Sequence, residues 1–237
     1  MAEQDQTGSA TEIERDDSAL VMREPIHDQI LPHIRRAIVE SRFGPGERLS
    51  EPLLCRQYGI SRTPLRQVLK SLEAEGLVRL VPHVGAIVTD PDVEDLGEKM
   101  DVLMALEQLA ATRVAQARRP RAVARIQRIY DKMCKAAETG DAAAYYQLND
   151  TFHRAIVTGC ENATLETMHQ NIMWHVHRER HRVNTHEPFS VHAAEHHAAI
   201  VDAIAAGDGD AAGRAMRQHL EDVARVLMAH RKAHGGA

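Results

Sequence analysis

Two arginines spaced for one face of a helix are the first residues that could recognise another molecule. Arg62 and Arg66 lie four positions apart and follow the hydroxyl residues Ser61 and Thr63, with Pro64 suited to a first helical turn. A guanidinium can bind guanine O6 and N7, or a phosphate, through two donors. Hydroxyls and free N–H groups at a helix start also bind phosphate. A single exposed arginine is more often merely solvated, so the prediction of DNA binding depends on the surrounding elements.

Histidine is the second residue type that could carry chemistry, since the chain has fifteen. Asn149 and His153 are four apart and share a helix face. His197 shares an apolar helical stripe with Ile200, Val201 and Ile204, and His219 shares one with Ala212, Met216 and Val223. Three inward histidines and an amide oxygen form a credible divalent-ion site. The pairs His177/His181 and His192/His196 are alternative candidates for metal ligands, and periodicity alone does not decide between the sets.

The elements before residue 93 are typical of a winged helix-turn-helix. Isoleucines at 26, 30, 34 and 38 predict a first helix, which the turn residues 42–46 end. A short helix over 50–58 and a capped helix over 61–75 follow, the latter with a core face of Leu65, Val68, Leu69 and Leu72. Residues 77–81 and 86–89 predict a hairpin, whose tip includes His83 and Gly85. In this arrangement the third helix enters the major groove.

The remainder of the chain predicts an antiparallel α-helical bundle. Breaks at Arg119-Pro120, Gly140, 159–162, Glu187-Pro188 and 207–209 divide it into helices over 94–118, 121–138, 141–158, 163–183, 189–206 and 209–232. Aromatic residues make up 3% of the chain, which disfavours a β-sandwich or barrel. The fold prediction is mainly α, with a DNA-binding domain over 25–93 and a helical domain over 94–237.

Charge and composition limit the classes of protein to which this chain can belong. The net charge is −5, and residues 1–24 are acidic and aperiodic, which predicts a disordered tail. Residues 56–79 are locally basic, as a polyanion-binding segment would be. The sequence shows neither a membrane-spanning apolar run nor a secretory signal, and its three cysteines have no pairing pattern. We therefore expect a cytoplasmic protein with no membrane partner.

Residues 44–89 resemble the DNA-binding domain of GntR-family transcriptional regulators. The resemblance lies in the blocks G-x-x-L-S-E, G-I-S-R-T-P-L-R, L-x-x-E-G-L-V and G-A-x-V. It implies DNA contacts by Ser61, Arg62, Thr63, Arg66, His83 and Gly85. Some members have a further DNA-binding arginine at the position of Pro52, so that contact is not expected here.

Residues 94–232 resemble the FCD-type ligand-binding domain of the FadR subgroup. The matching pieces are A-L-E at 105–107, N-D-T-F-H at 149–153, H-A-A-I-V-D-A-I at 197–204, G-D-x-x-A-A at 207–212 and M-R-Q-H-L at 216–220. The resemblance implies a Zn²⁺ or Ni²⁺ site formed by Asn149, His153, His197 and His219. Asn149 replaces a common aspartate, which predicts weaker binding. Leu103 replaces an arginine that binds an effector carboxylate in many members, so such a carboxylate would need the metal or another arginine.

Together these features predict a repressor that binds an inverted-repeat operator as a homodimer, since two-fold protein symmetry matches a palindrome. A small metabolite, an organic acid, would bind near the metal and change operator affinity. One alternative is a metal-dependent enzyme with an added DNA-binding module, although Glu195 is the only acid close in sequence to His197. Another is an architectural DNA-binding protein with a structural metal.

Overall fold

The computed structural model describes residues 25–186 and 192–234, apart from the side chains of 184–186 and 192–195. The acidic segment over residues 1–24, predicted to be a disordered tail, lies outside the described residues. The first part contains α1 (Ile26–Val39), β1 (Arg48–Leu49), α2 (Glu51–Tyr58), α3 (Arg62–Ala74), β2 (Val78–Val81) and β3 (Gly85–Val88). This order confirms the predicted winged helix-turn-helix.

The sheet has one strand more than the sequence predicted. β3 pairs antiparallel with β2, as the hairpin requires, and its other edge pairs antiparallel with β1. The two-residue β1 is too short to show an alternating pattern in the sequence, and its pairing places Arg48 opposite Ile87. As a result Arg48 stands at the base of the wing.

The core of this part confirms the predicted face of α3. Leu65, Val68, Leu69 and Leu72 are all buried, and they pack with Ile34 and Ile38 of α1 and with residues of the sheet. Gly59 ends α2 with φ 64°, a left-handed conformation that favours glycine. The tight turn into α3 leaves the polar face of that helix in solvent.

The second part is the predicted antiparallel bundle. Its helices are α4 (Val93–Ala117), α5 (Pro120–Glu138), α6 (Ala142–Gly159), α7 (Ala163–His186), α8 (His192–Ala206) and α9 (Gly209–His234). Asp92 caps α4 by accepting a 2.8 Å hydrogen bond from the backbone N–H of Asp95. α4 packs against α6, α7, α8 and α9, and therefore forms the centre of the bundle. Within the described residues, no helix combines the length and apolar character needed to cross a bilayer.

Candidate DNA-binding surface and metal centre

The start of α3 presents the predicted DNA-binding residues to solvent. Ser61 is the N-cap residue of the helix, and Ser61, Arg62, Thr63 and Arg66 are all exposed. They are exposed because the leucine face on the other side of α3 is used for the core. Arg66 is 3.4 Å from Glu51, a surface ion pair that contributes little to stability and that a phosphate can replace.

The wing tip contains two residues in positive-φ conformations. His83 is exposed and has φ 63°, and Gly85 has φ 106°. A non-glycine residue at positive φ is uncommon, although histidine is enriched there. The left-handed turn lets the short link between β2 and β3 reverse direction with His83 at its outer end.

A groove between α3 and the wing brings three of the predicted residues together with two further basic residues that were not among the predicted contacts. Arg66, His83 and Gly85 line it, and so do Arg48 and Lys70. Arg62 lines an adjoining groove beside Arg48 and Gly85, and Ser61 and Thr63 line neither of the two. The two further residues carried a weak signal: Lys70 falls four positions after Arg66, and the pairing of β1 could not be read from the sequence. The groove is therefore a basic surface suited to a polyanion.

The three predicted metal-ligating histidines converge inside the bundle. His153 comes from α6, His197 from α8 and His219 from α9, and one ring nitrogen of each lies within 4.8 Å of the others. All three are almost completely buried. Asn149 is also buried, one turn before His153 on α6. Of the alternative pairs, His177 is 3.2 Å from Asp150 and His196 is 3.3 Å from Asp222, and neither belongs to the cluster.

The geometry of these rings fits a divalent ion. Nε2 of His153 and Nε2 of His219 are 3.3 Å apart. Two nitrogens bound to one tetrahedral ion at about 2.1 Å have about this separation. Burial, together with repulsion from His197 and His153, holds the pKa of His219 well below its usual range. The neutral ring therefore keeps a lone pair for a metal.

Glu107 of α4 orients one of the histidines and was missed by the sequence reasoning. The Nδ1–H of His153 donates to one of its carboxylate oxygens, and the Nε2–H of His169 donates to the other at 2.9 Å. Burial opposes ionisation of Glu107, but His153 and His169 together hold its pKa well below its usual range. The hydrogen bond at Nδ1 leaves Nε2 of His153 to face the other two rings, an arrangement common behind metal-bound histidines. A carboxylate inside the apolar stripe of α4 was the available signal.

Glu107→Gln should weaken metal binding about 10- to 100-fold, because the amide lacks the charge that polarises His153. Competition with a chromophoric chelator would measure the affinity. Glu98→Gln is the matched control, since Glu98 is an exposed residue of the same helix. Equal affinities in Glu107→Gln and the unsubstituted protein would show that Glu107 does not support a metal ligand.

Two residues bear on how an effector carboxylate could bind. Leu103 is buried in an apolar cluster with Met100 and Met173, so its position offers no cationic group. Arg180 of α7 is half-buried and contacts Asp150 at 3.3 Å. Its positive charge contributes, after the larger effect of burial and of the neighbouring histidines, to the low pKa of His219. Arg180 therefore places a cation beside Asp150, the residue that follows Asn149 on α6.

Helix α7 also connects the bundle to the winged helix. The Nε2–H of His175 donates at 2.8 Å to the backbone carbonyl of Glu75, which ends α3. Burial lowers the pKa of His175 to about 4, so the ring is neutral at neutral pH. Arg178 donates at 2.9 Å to the carbonyl of Thr89, between the wing and α4. Movement of α7 would therefore change contacts at the end of α3 and just after the wing.

Comparison with known proteins identifies both parts. Residues 26–88 match the family model described as "Bacterial regulatory proteins, gntR family", and residues 98–222 match that of the FCD domain. The chain is 31% identical over 219 residues to a protein of Paenarthrobacter nicotinovorans named "Probable D-xylose utilization operon transcriptional repressor", an alignment that covers 92% of this chain and 95% of that protein. It is 27% identical to the "HTH-type transcriptional repressor RspR" of Escherichia coli K12, with 86% of this chain and 90% of that protein covered.

The fold is shared with solved structures as well. "E. coli McbR/YncC" superposes with a TM-score of 0.76 at 20% identity, covering 88% of this chain and 99% of that one. A Rhodococcus structure described as a putative transcriptional regulator GntR gives a TM-score of 0.71 at 23% identity, covering 86% of this chain and 97% of that one. The chain therefore belongs to the GntR family of bacterial regulatory proteins, in the FadR-like subgroup that carries an FCD domain.

Proposed function

We propose that this regulator is a repressor whose operator affinity is set by an organic acid bound near a divalent ion in the helical domain. The observation that carries the proposal is the placement of α7 between the two functional regions. The same helix supplies His169, which binds Glu107 behind the histidine cluster, and His175, which binds the end of α3. A change at the cluster thus has a short physical route to the DNA-binding surface.

His153, His197 and His219 would hold the ion, with Asn149 as an oxygen ligand from the same face of α6. Imidazole nitrogens suit Zn²⁺ and Ni²⁺, which are the metals we propose. The ion would supply a positive charge and an open coordination position for a carboxylate. An amide is a weaker ligand than a carboxylate, so exchange of the metal should be easier than in a site with aspartate at position 149.

Arg180 is the residue we assign to the effector carboxylate. An arginine binds a carboxylate through two parallel hydrogen bonds, and Arg180 contacts Asp150, which follows Asn149 on α6. It lies on α7, so an acid that draws its guanidinium away from Asp150 would act on the helix that contacts α3. In this assignment Arg180 binds the effector carboxylate, a role for which the apolar side chain of Leu103 has no cationic group.

The repressor would act on DNA in the cytoplasm as a homodimer on an inverted repeat, with a DNA-binding domain over 25–93 and an effector domain over 94–237. Ser61, Arg62, Thr63, Arg66, His83 and Gly85 would contact the operator. Val102 and Leu109 support the dimer, since both are exposed, two turns apart, on one side of α4. The names of the two relatives support a repressor.

Operator binding at fixed salt tests the proposal. Duplexes selected by the protein from random sequence would serve as the operator, and fluorescence anisotropy would report affinity for the zinc-loaded protein with a panel of organic acids. At least one acid should change the operator Kd, and Arg180→Ala should lose that response while Arg121→Ala, an exposed change on α5, keeps it. An operator Kd unaffected by every acid would contradict the proposal, and metal-dependent turnover would favour the enzyme alternative.

A further inference from the structure

A cavity lies between α6 and α7, and its lining includes His169, which binds Glu107 behind the histidine cluster. It has a volume of about 200 Å³, and none of the three clustered histidines lines it. His169 and Met173 are buried parts of its lining, whereas Arg154, Glu166 and Gln170 are exposed. The cavity therefore has a closed inner end and a polar opening.

The charges in the cavity do not suit an anion. Its lining includes two carboxylates, Asp150 and Glu166, and one guanidinium, Arg154. Asp150 is already engaged by Arg180 at 3.3 Å and by His177 at 3.2 Å. One carboxylate, that of Glu166, and one guanidinium, that of Arg154, thus remain for a ligand. Because their charges are opposite, they favour a neutral molecule.

The types of side chain favour a molecule with several hydroxyl groups. Arg154, Glu166 and Gln170 each present two polar atoms in one plane, a geometry that pairs with neighbouring hydroxyls as donors or acceptors. Met173 and Trp174 add apolar surface for the C–H groups of the same ligand. A volume of about 200 Å³ lies below the roughly 300–1,000 Å³ of sites for drug-sized ligands, so a compact metabolite fits.

We propose that this cavity is a second ligand site, for a small neutral polyhydroxylated metabolite such as a sugar or polyol, and that Trp174 links it to the recognition helix. None of the three clustered histidines lines this site, and its ligand differs in charge from the organic acid. The link rests on the proposed function, because it concerns operator affinity. Ligand binding in the cavity does not depend on the proposed function.

Trp174 faces both the cavity and the winged helix. It lines the cavity, packs against the winged-helix core, and lies under the guanidinium of Arg35, 4.6 Å from the ring centre. Arg35 binds both carboxylate oxygens of Glu75, at 2.7 and 2.5 Å, and Glu75 is the residue that ends α3. Glu75 is largely buried, and His175 also binds its backbone carbonyl. A shift of the indole would therefore act, through Arg35, on a firmly held end of α3.

The single tryptophan of the chain makes ligand binding directly measurable. Full-length protein, with and without zinc, would be titrated with aldoses and alditols of about four to six carbons, with succinate and putrescine as charged probes. Tryptophan fluorescence and calorimetry would be recorded. We expect saturable binding of at least one neutral compound in both metal states. If none binds saturably, or only succinate or putrescine does, the proposed site or its ligand class is wrong.

Variants locate the site and test the link. Glu166→Ala and Gln170→Ala should each weaken binding about ten-fold, the effect of one lost hydrogen bond of about 1.4 kcal/mol. Met168→Ala is the control, since Met168 is exposed on the same helix and does not line the cavity. Equal weakening by all three would place the ligand elsewhere.

Operator binding then tests the link independently of the organic-acid response. The bound polyol should change the operator Kd of the unsubstituted protein, and Arg35→Lys should bind the polyol normally by calorimetry but lose that change. An identical response in Arg35→Lys would overturn the role of Trp174 and Arg35. A protein that responds to the polyol but to no acid would retain this site and contradict the function proposed for Arg180.

Discussion

His219→Ala should abolish tight metal binding while leaving the DNA-binding surface intact. One of three converging ring nitrogens is removed, so the loss should exceed the roughly 10- to 100-fold expected for an outer partner such as Glu107. A ligand at about 100 times its Kd stabilises a folded protein by about 2.7 kcal/mol, and the variant should lose that metal-dependent gain. Elemental analysis after dialysis and thermal unfolding with and without zinc would measure both effects.

His196→Ala is the control for this prediction. His196 neighbours His197 in sequence and its ring centre is 6.2 Å from that of His219, yet it is partly exposed and paired with Asp222. It should retain stoichiometric metal. Operator affinity of metal-free His219→Ala should equal that of the metal-free unsubstituted protein, because the winged-helix core contains none of the three histidines. Full metal occupancy in His219→Ala would contradict the assignment of this ligand.

Helices in which the hydrophobic periodicity continues over several turns were predictable from the sequence. The stripe of Leu65, Val68, Leu69 and Leu72 predicted α3 and its buried face, and the structure confirms both. The stripes around His197 and His219 likewise predicted that these side chains point inward, and both are buried. Periodicity succeeds here because burial of one face is what stabilises each helix.

Single hydrogen-bond partners were not predictable in the same way. Glu107 and His153 are 46 positions apart and meet only because α4 and α6 pack together. His175 and Arg178 bind backbone carbonyls of Glu75 and Thr89, and a carbonyl acceptor is present at every residue. The sequence therefore predicts which helices form, whereas the contacts that join the histidine cluster to α3 depend on how those helices are placed.

Arg66→Ala should weaken specific operator binding by about 1–3 kcal/mol if its guanidinium binds a base. Arg66 is exposed and lines the groove between α3 and the wing. Its ion pair with Glu51, at 3.4 Å on the surface, is too weak to prevent it from turning to DNA. Fold stability should change little, because the side chain takes no part in the leucine core of α3.

The salt dependence of binding separates two roles for Arg66. A base contact predicts a loss for the selected operator that is much smaller on random duplex, whereas a phosphate contact predicts an even loss and a log Kd–log salt slope smaller by about one. Arg36→Ala is the matched control, since Arg36 is exposed on α1 and does not line the groove. It removes the same charge, so a comparable loss in Arg36→Ala would mean that net charge, rather than the position of Arg66 in the groove, determines affinity.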